Sequence, residues 1–224
     1  MFNIDNKWLL ITASFTLYFL VIYSFKRIGS HNLKHALGRH NGTALLNLKH
    51  SIGILLFGVL FFYQTPEYLY LITEVEIPRL PALALILITF FLSAYLAYRF
   101  FLKERNKLSR ESKTSPSQAW MYFAIRFAFL FCYEFFFRGV LLFSFLEISE
   151  PYLAICYVTA LYVLIHAFDS KKELIGSIPF GVVLAIFTLI TNSIWYAFFI
   201  HLALSAVYEI SVFCHQTFKN VSNG

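Results

Sequence analysis

The side chains of this sequence that could do chemistry are a few ionisable groups inside long apolar segments. Glu134 and Arg138 are four residues apart in the segment CYEFFFRGVLLF, so on a helix they share one face and can form an ion pair. His166 and His201 stand in two later apolar segments. A charged group at the centre of a membrane helix costs about 3 kcal/mol on insertion, so such groups are functional candidates by default.

One buried carboxylate with two histidines is compatible with three kinds of site. The carboxylate could activate water as a general base while the histidines orient the water and stabilise charge. The three groups could instead bind a metal ion, or form a structural polar cluster or a proton path in a transporter. The spacing of these residues does not choose among the three.

The composition indicates an integral membrane protein. Hydrophobic residues make up 59% of the chain and charged residues only 13%, whereas a soluble domain has about 25% charged residues. The three cysteines form no CxxC pair, so we interpret them as small apolar residues and expect no disulfide framework.

Seven apolar segments are long enough to span a bilayer, which takes about 20 residues. The pattern predicts an all-α, polytopic transmembrane bundle with spans at 8–25, 45–64, 80–102, 119–146, 152–168, 174–191 and 194–213. We divide this one membrane domain into residues 1–118, a core at 119–213 and a tail at 214–224.

The loops between the spans alternate in charge. Cations concentrate in the loops after the first, third, fifth and seventh spans, and acids in the others. Because basic loops stay in the cytoplasm, we predict an outer N-terminus and a cytoplasmic C-terminus. This bias also accounts for the net charge of +6, and no nucleic-acid partner is expected.

The rise of a helix predicts which polar groups share a depth. Counted from the outer end, Glu134 lies about 18 Å deep, His201 roughly 10 Å and His166 about 21 Å, so the three could converge. Arg126, about 30 Å from that end, is expected to extend to the cytoplasmic interface. Glu209 follows His201 by two turns and is expected to be a paired or interfacial acid.

Three short motifs resemble those of the CPBP family. That family comprises the type II CAAX prenyl endopeptidases and the bacterial Abi or bacteriocin-immunity membrane proteins. Its first motif is Glu-Glu, three residues, then Arg, and residues 133–139 read YEFFFRG. Its second is an aromatic residue, three residues, then His, matched by Tyr162 and His166. Its third is His, three residues, then Asn or Asp, and residues 201–205 read HLALS.

The resemblance covers the C-terminal half and implies a glutamate-dependent, metal-independent peptidase without a cofactor. By position, it assigns Glu134 and His166 to water activation and His201 with Ser205 to the oxyanion of the intermediate. Arg138 would hold Glu134 charged and oriented.

Two positions depart from the family pattern. Tyr133 stands where the first glutamate is expected, and a phenol with a pKa near 10 is a poor base at neutral pH. Ser205 stands where an amide is expected, and its single hydroxyl is shorter. Glu209 could also compensate for the missing glutamate.

The function expected first is an intramembrane endopeptidase that acts on a membrane-associated protein or peptide, in a bacterial cytoplasmic membrane. The alternative is a catalytically impaired relative that acts as a regulator, a scaffold or a bacteriocin self-immunity factor. A proton-coupled transporter is the third hypothesis, although the sequence lacks two similar halves with broken helices.

Overall fold

The structure is a computed structural model that describes residues 4–108 and 116–217. Within these ranges the secondary structure is helical, with no strand. Seven helices are long and apolar enough to cross a membrane, here labelled α1 to α7: Asn6–Arg27, Gly42–Gln64, Leu80–Glu104, Gln118–Leu146, Pro151–Phe168, Lys171–Thr191 and Trp195–Thr217. The predicted all-α bundle of seven spans is therefore confirmed, with bounds that differ by a few residues. Which end faces the cytoplasm stays a prediction, and the last residues of the tail lie outside the described ranges.

The connections between the long helices contain short helical turns. An α-helical turn at Leu33–Ala36 lies between α1 and α2, and a second at Tyr70–Thr73 follows a 3₁₀ turn at Pro66–Tyr68. A further 3₁₀ turn at Arg105–Lys107 follows α3, and another closes α5 at His166–Phe168.

Two of the long helices contain π-helical segments. The segment in α2 is Ile54–Val59, and the segment in α4 is Phe135–Leu141. A π turn adds a residue to the helical turn and often occurs at functional sites. The segment in α4 starts directly after Glu134, so the candidate glutamate lies where the helix changes its winding.

Glycines in α2 allow close contact with α4. A Cβ at Gly53 would overlap the ring of Phe129, and one at Gly58 would overlap Cys132. Since neither glycine carries a side chain, α2 packs tightly against α4 at Phe129 and Cys132. A cavity of about 240 Å³ beside this contact is apolar, and no candidate site residue lines it.

A polar cluster ties α1 to the end of α4. The Lys7 ammonium donates to Glu147 Oε2 at 2.6 Å and to the Tyr68 hydroxyl at 3.0 Å. Tyr68 donates to Glu147 Oε1 at 2.6 Å and lies 3.2 Å from the Ser144 hydroxyl. This cluster closes one end of the bundle.

We expect the Glu147 contact to make stability depend on acid pH. Burial opposes ionisation, but hydrogen bonds from Lys7 and Tyr68 outweigh it and hold the pKa of Glu147 below its ordinary value. Such a group stabilises the fold above its unfolded pKa of about 4.3, and the contribution is lost as pH falls through the lower folded pKa. Glu147→Gln should lower the thermal midpoint by a few degrees at neutral pH, because the carboxylate is 43% exposed and solvent screens the pair.

Thermal unfolding of purified protein in detergent, measured at several pH values, checks this expectation. The deficit of the variant should vanish in strong acid, and Glu150→Gln at the same end is the control. A deficit that is unchanged in strong acid would contradict the role given to the Glu147 carboxylate.

Candidate active site

Glu134 on α4 and His201 on α7 meet inside the bundle. Glu134 is completely buried, and its Oε1 lies 2.5 Å from His201 Nδ1. The two residues are 67 positions apart in the chain, so this contact joins the first sequence motif to the third. The expected convergence of these two groups is thus found.

Arg138 supplies the charge opposite Glu134. Its Nε lies 3.2 Å from Glu134 Oε2, and neither side chain is exposed. Its guanidinium lies 4.8 Å from the centre of the Tyr162 ring, a cation–π distance. The guanidinium nitrogens make no hydrogen bond to other described residues. The positive charge of Arg138 is therefore balanced by Glu134 and by the face of the Tyr162 ring.

The Tyr162 ring lies beside both histidines of the site. Its ring centre is 5.0 Å from that of His166 and 6.3 Å from that of His201. Gly181 of α6 allows this position, because a Cβ there would lie 3.1 Å from the Tyr162 ring. The second motif therefore lies against the other two.

His166 lies in the last turn of α5, and its side chain is partly exposed. Its Nδ1 is 2.8 Å from Asp169 Oδ2, while its Nε2 is buried and has no hydrogen-bond partner among the described residues. Sequence reasoning missed Asp169. The signal was present, since a carboxylate three residues after a histidine is within reach on a helical turn.

The Tyr133 side chain is buried among other aromatic rings. It is 4% exposed, and its hydroxyl is buried without a hydrogen-bond partner among the described residues. Its ring centre lies 4.5 Å from that of Phe137 and 6.0 Å from that of His201. The phenol therefore borders the site without a polar contact to its members.

Ser205 belongs to a second polar cluster, one turn along α7 from His201. It accepts a hydrogen bond from Arg126 at 2.8 Å and donates one to Glu209 at 3.1 Å. Glu209 also accepts from Arg126 Nε at 2.9 Å and from Tyr122 at 2.8 Å. Glu209 is thus a paired acid, as expected.

This cluster adds contacts to two residues that have expected roles from the sequence. The guanidinium of Arg126, which was expected at the cytoplasmic interface, is bonded to Glu209 and Ser205 of α7. The Ser205 hydroxyl, assigned by resemblance to an oxyanion, is committed to Glu209 in this structure.

The start of α7 is fixed by the turn at Tyr70–Thr73. The Ile194 amide donates to the Leu71 carbonyl at 3.1 Å, and the Trp195 indole donates to the Ile72 carbonyl at 2.8 Å. These bonds set the height of α7 and hence the height of His201. The N-terminal half of the chain therefore helps to position the site.

The donor set does not resemble a metal site. In the part of the chain that the structure describes, no three His, Cys, Asp or Glu side chains are grouped to hold a metal ion. Each histidine instead has its own carboxylate, Glu134 for His201 and Asp169 for His166. Such carboxylate–histidine pairs orient the imidazole rings for acid–base or hydrogen-bonding work.

Comparison with known proteins agrees with the motifs. Residues 115–207 match the family model described as "Type II CAAX prenyl endopeptidase Rce1-like". This range includes all three motifs, so the resemblance stated from the sequence is confirmed over it. No curated protein and no solved structure matches the chain.

Proposed function

We propose that this chain, whose residues 115–207 are of the CAAX-protease type, is an intramembrane peptidase. Its substrate would be a membrane-associated protein or peptide, cleaved without a metal ion. The observation that carries the proposal is the buried contact between Glu134 and His201, with Tyr162 and His166 beside it. Three motifs that are distant in sequence come together there around two histidines.

His201 is suited to stabilise negative charge on the substrate. The Glu134 carboxylate holds Nδ1 at a distance typical of a charge-assisted hydrogen bond. The proposed role requires that the ring is an imidazolium when the substrate is bound, with the negative charge of Glu134 opposite it. Nε2, on the other edge of the ring, can then donate to the oxyanion of a tetrahedral intermediate. One such donor is worth a factor of about 10²–10³ in rate.

His166 is suited to act as the general base. Asp169 holds Nδ1, and the buried Nε2 has no partner among the described residues, so it can accept a proton from water. The water oxygen attacks the carbonyl carbon of the scissile amide as its proton moves to Nε2. When the intermediate collapses, the C–N bond breaks and that proton passes to the leaving amine.

The position of the site favours a substrate from the membrane. The two histidines and Glu134 belong to helices that are apolar enough to span a bilayer. A peptide must therefore enter the apolar bundle to reach them, which a membrane-anchored segment does at lower cost than a fully hydrated one.

A second candidate function is supported by Tyr133. It stands next to Glu134 where the resemblance implies a catalytic glutamate, and its hydroxyl makes no hydrogen bond to a site residue. A chain without that base would bind a membrane partner and regulate it, or act as an immunity factor, without cleaving it.

The test compares peptide cleavage by three forms of the purified protein in proteoliposomes. Membrane-anchored peptides of varied sequence are incubated with the protein, and new termini are identified by mass spectrometry. We expect cleavage by the wild type and a loss of about 10²–10³-fold in rate for His201→Ala, since an oxyanion donor is removed. His40→Ala, at an exposed histidine, is the control.

The same assay separates the two candidates. If the wild type cleaves nothing while Tyr133→Glu gains cleavage, the non-catalytic candidate is correct. Equal cleavage by the wild type and His201→Ala would reject the role assigned to the imidazole.

A further inference from the structure

Asp169 is a carboxylate that no sequence motif includes, yet it contacts a histidine of the proposed site. Its Oδ2 lies 2.8 Å from His166 Nδ1. The pair lies on the turn between α5 and α6, so it uses neither Glu134 nor Arg138. The site therefore contains two independent carboxylate–histidine pairs.

The turn that contains Asp169 is fixed on both sides. On the side of α5, the ring centre of Phe168 lies 5.0 Å from that of Phe19 and 5.5 Å from that of Tyr23, both on α1. On the side of α6, Ser170 and Glu173 form a reciprocal capping box at the helix start. Asp169 lies between these anchors, so the position of its carboxylate is set by the fold.

Charges around Asp169 favour its ionised form. Burial opposes ionisation, but the hydrogen bond from His166, together with the charge of Lys49, holds the pKa of Asp169 below its ordinary value. The Lys49 ammonium is itself fixed by a 2.6 Å hydrogen bond to the His31 carbonyl. Burial, followed by the charge of Lys26, lowers the pKa of His31 to about 4, so this imidazole is neutral at physiological pH.

An ionised carboxylate accepts hydrogen bonds but cannot donate them. The ring nitrogen that faces Asp169 must therefore carry the proton. In a neutral imidazole the other nitrogen then has the free electron pair, and in His166 that nitrogen is the buried Nε2 without a partner.

We infer that Asp169 is a positioning residue that fixes His166 in its Nδ1–H tautomer and directs the electron pair of Nε2 toward the scissile bond. The catalytic part of this inference, the direction of the Nε2 electron pair toward a scissile bond, rests on the proposed function. The tautomer itself is a property of the resting protein.

The experiment measures the tautomer of His166 by solid-state NMR. Full-length protein labelled with ¹⁵N-histidine is reconstituted in lipid bilayers at neutral pH, and the His166 signals are identified by their absence in His166→Gln. We expect a protonated Nδ1 and an unprotonated Nε2 in the wild type. In Asp169→Asn this preference should be lost, because an amide at this position can donate to Nδ1 as well as accept from it.

Glu173→Gln is the matched control, since it removes a carboxylate from the same turn that caps α6 and has no contact with His166. It should leave the His166 signals unchanged. Unchanged signals in Asp169→Asn, or an Nε2–H tautomer in the wild type, would overturn the inference.

Peptide cleavage gives the second readout. If the wild type cleaves peptides, Asp169→Asn should lower kcat with little change in KM, by no more than the factor of about 10²–10⁴ that removal of a general base costs. A tautomer change without any wild-type cleavage would leave the inference standing and reject the proposed function. A tautomer change with unaltered kcat would reject the catalytic part of the inference.

Discussion

Arg138→Met is expected to destabilise the protein by about 3–5 kcal/mol, because it leaves the buried Glu134 carboxylate without its opposite charge. Both side chains are completely buried, so water cannot replace the lost partner. The free energy of unfolding, measured by chemical denaturation in bicelles, checks this value. His201 remains beside Glu134 and should limit the loss without removing it.

A second substitution tests the reason for that loss. Replacing both charges, in Glu134→Gln with Arg138→Met, should recover most of the stability, because removing a whole buried ion pair is often close to neutral. Arg99→Met is the control, since Arg99 is exposed and bonds to Tyr95 on the surface of α3. An Arg138→Met protein as stable as the Arg99→Met protein would contradict the ion-pair account.

His166→Ala is expected to lower the rate of peptide cleavage by about 10²–10⁴-fold, the usual contribution of a general base. The side chain is partly exposed at the end of α5, so its removal should change stability far less than activity. Single-turnover rates in proteoliposomes measure the effect on the chemical step. Substrate binding, measured separately, should be close to that of the wild type.

His50→Ala is the matched control for that experiment. His50 is likewise a histidine of a membrane-spanning helix, but it is buried, and its ring stacks on Phe129 at 5.0 Å instead of contacting a member of the proposed site. It should retain the cleavage rate and lose stability. Equal rate losses in the two variants would show that the effect of His166→Ala is structural.

The helices were predictable because the length of each apolar run in the sequence indicates a membrane-spanning helix. Apolar runs such as 80–102 and 152–168 are long enough to cross a bilayer, and the structure extends each by only one or two residues. The π turns were not predictable, and neither were the close contacts of α2 with α4 at Gly53 and Gly58. Helix propensity does not report such contacts between helices.

The sequence predicted which residues form the site better than it predicted the contacts between them. Motif spacing identified Glu134, Arg138, His166 and His201. Helix geometry indicated that Glu134 and the two histidines are close enough in depth to converge. Spacing could not show that Glu134 bonds to His201, or that Arg126 and Glu209 engage Ser205. These pairings depend on helix rotation and tilt, which the sequence of one helix does not determine.

The most direct test of the central claim is peptide cleavage in ¹⁸O-labelled water by the wild type and by a double variant, His166→Ala with His201→Ala. If the two histidines direct hydrolysis by water, each bond cut by the wild type carries one ¹⁸O atom in its new carboxyl group. The double variant should then release no labelled product above the background without protein. Labelled product at the same rate from both proteins, or no labelled product from the wild type, would contradict the account.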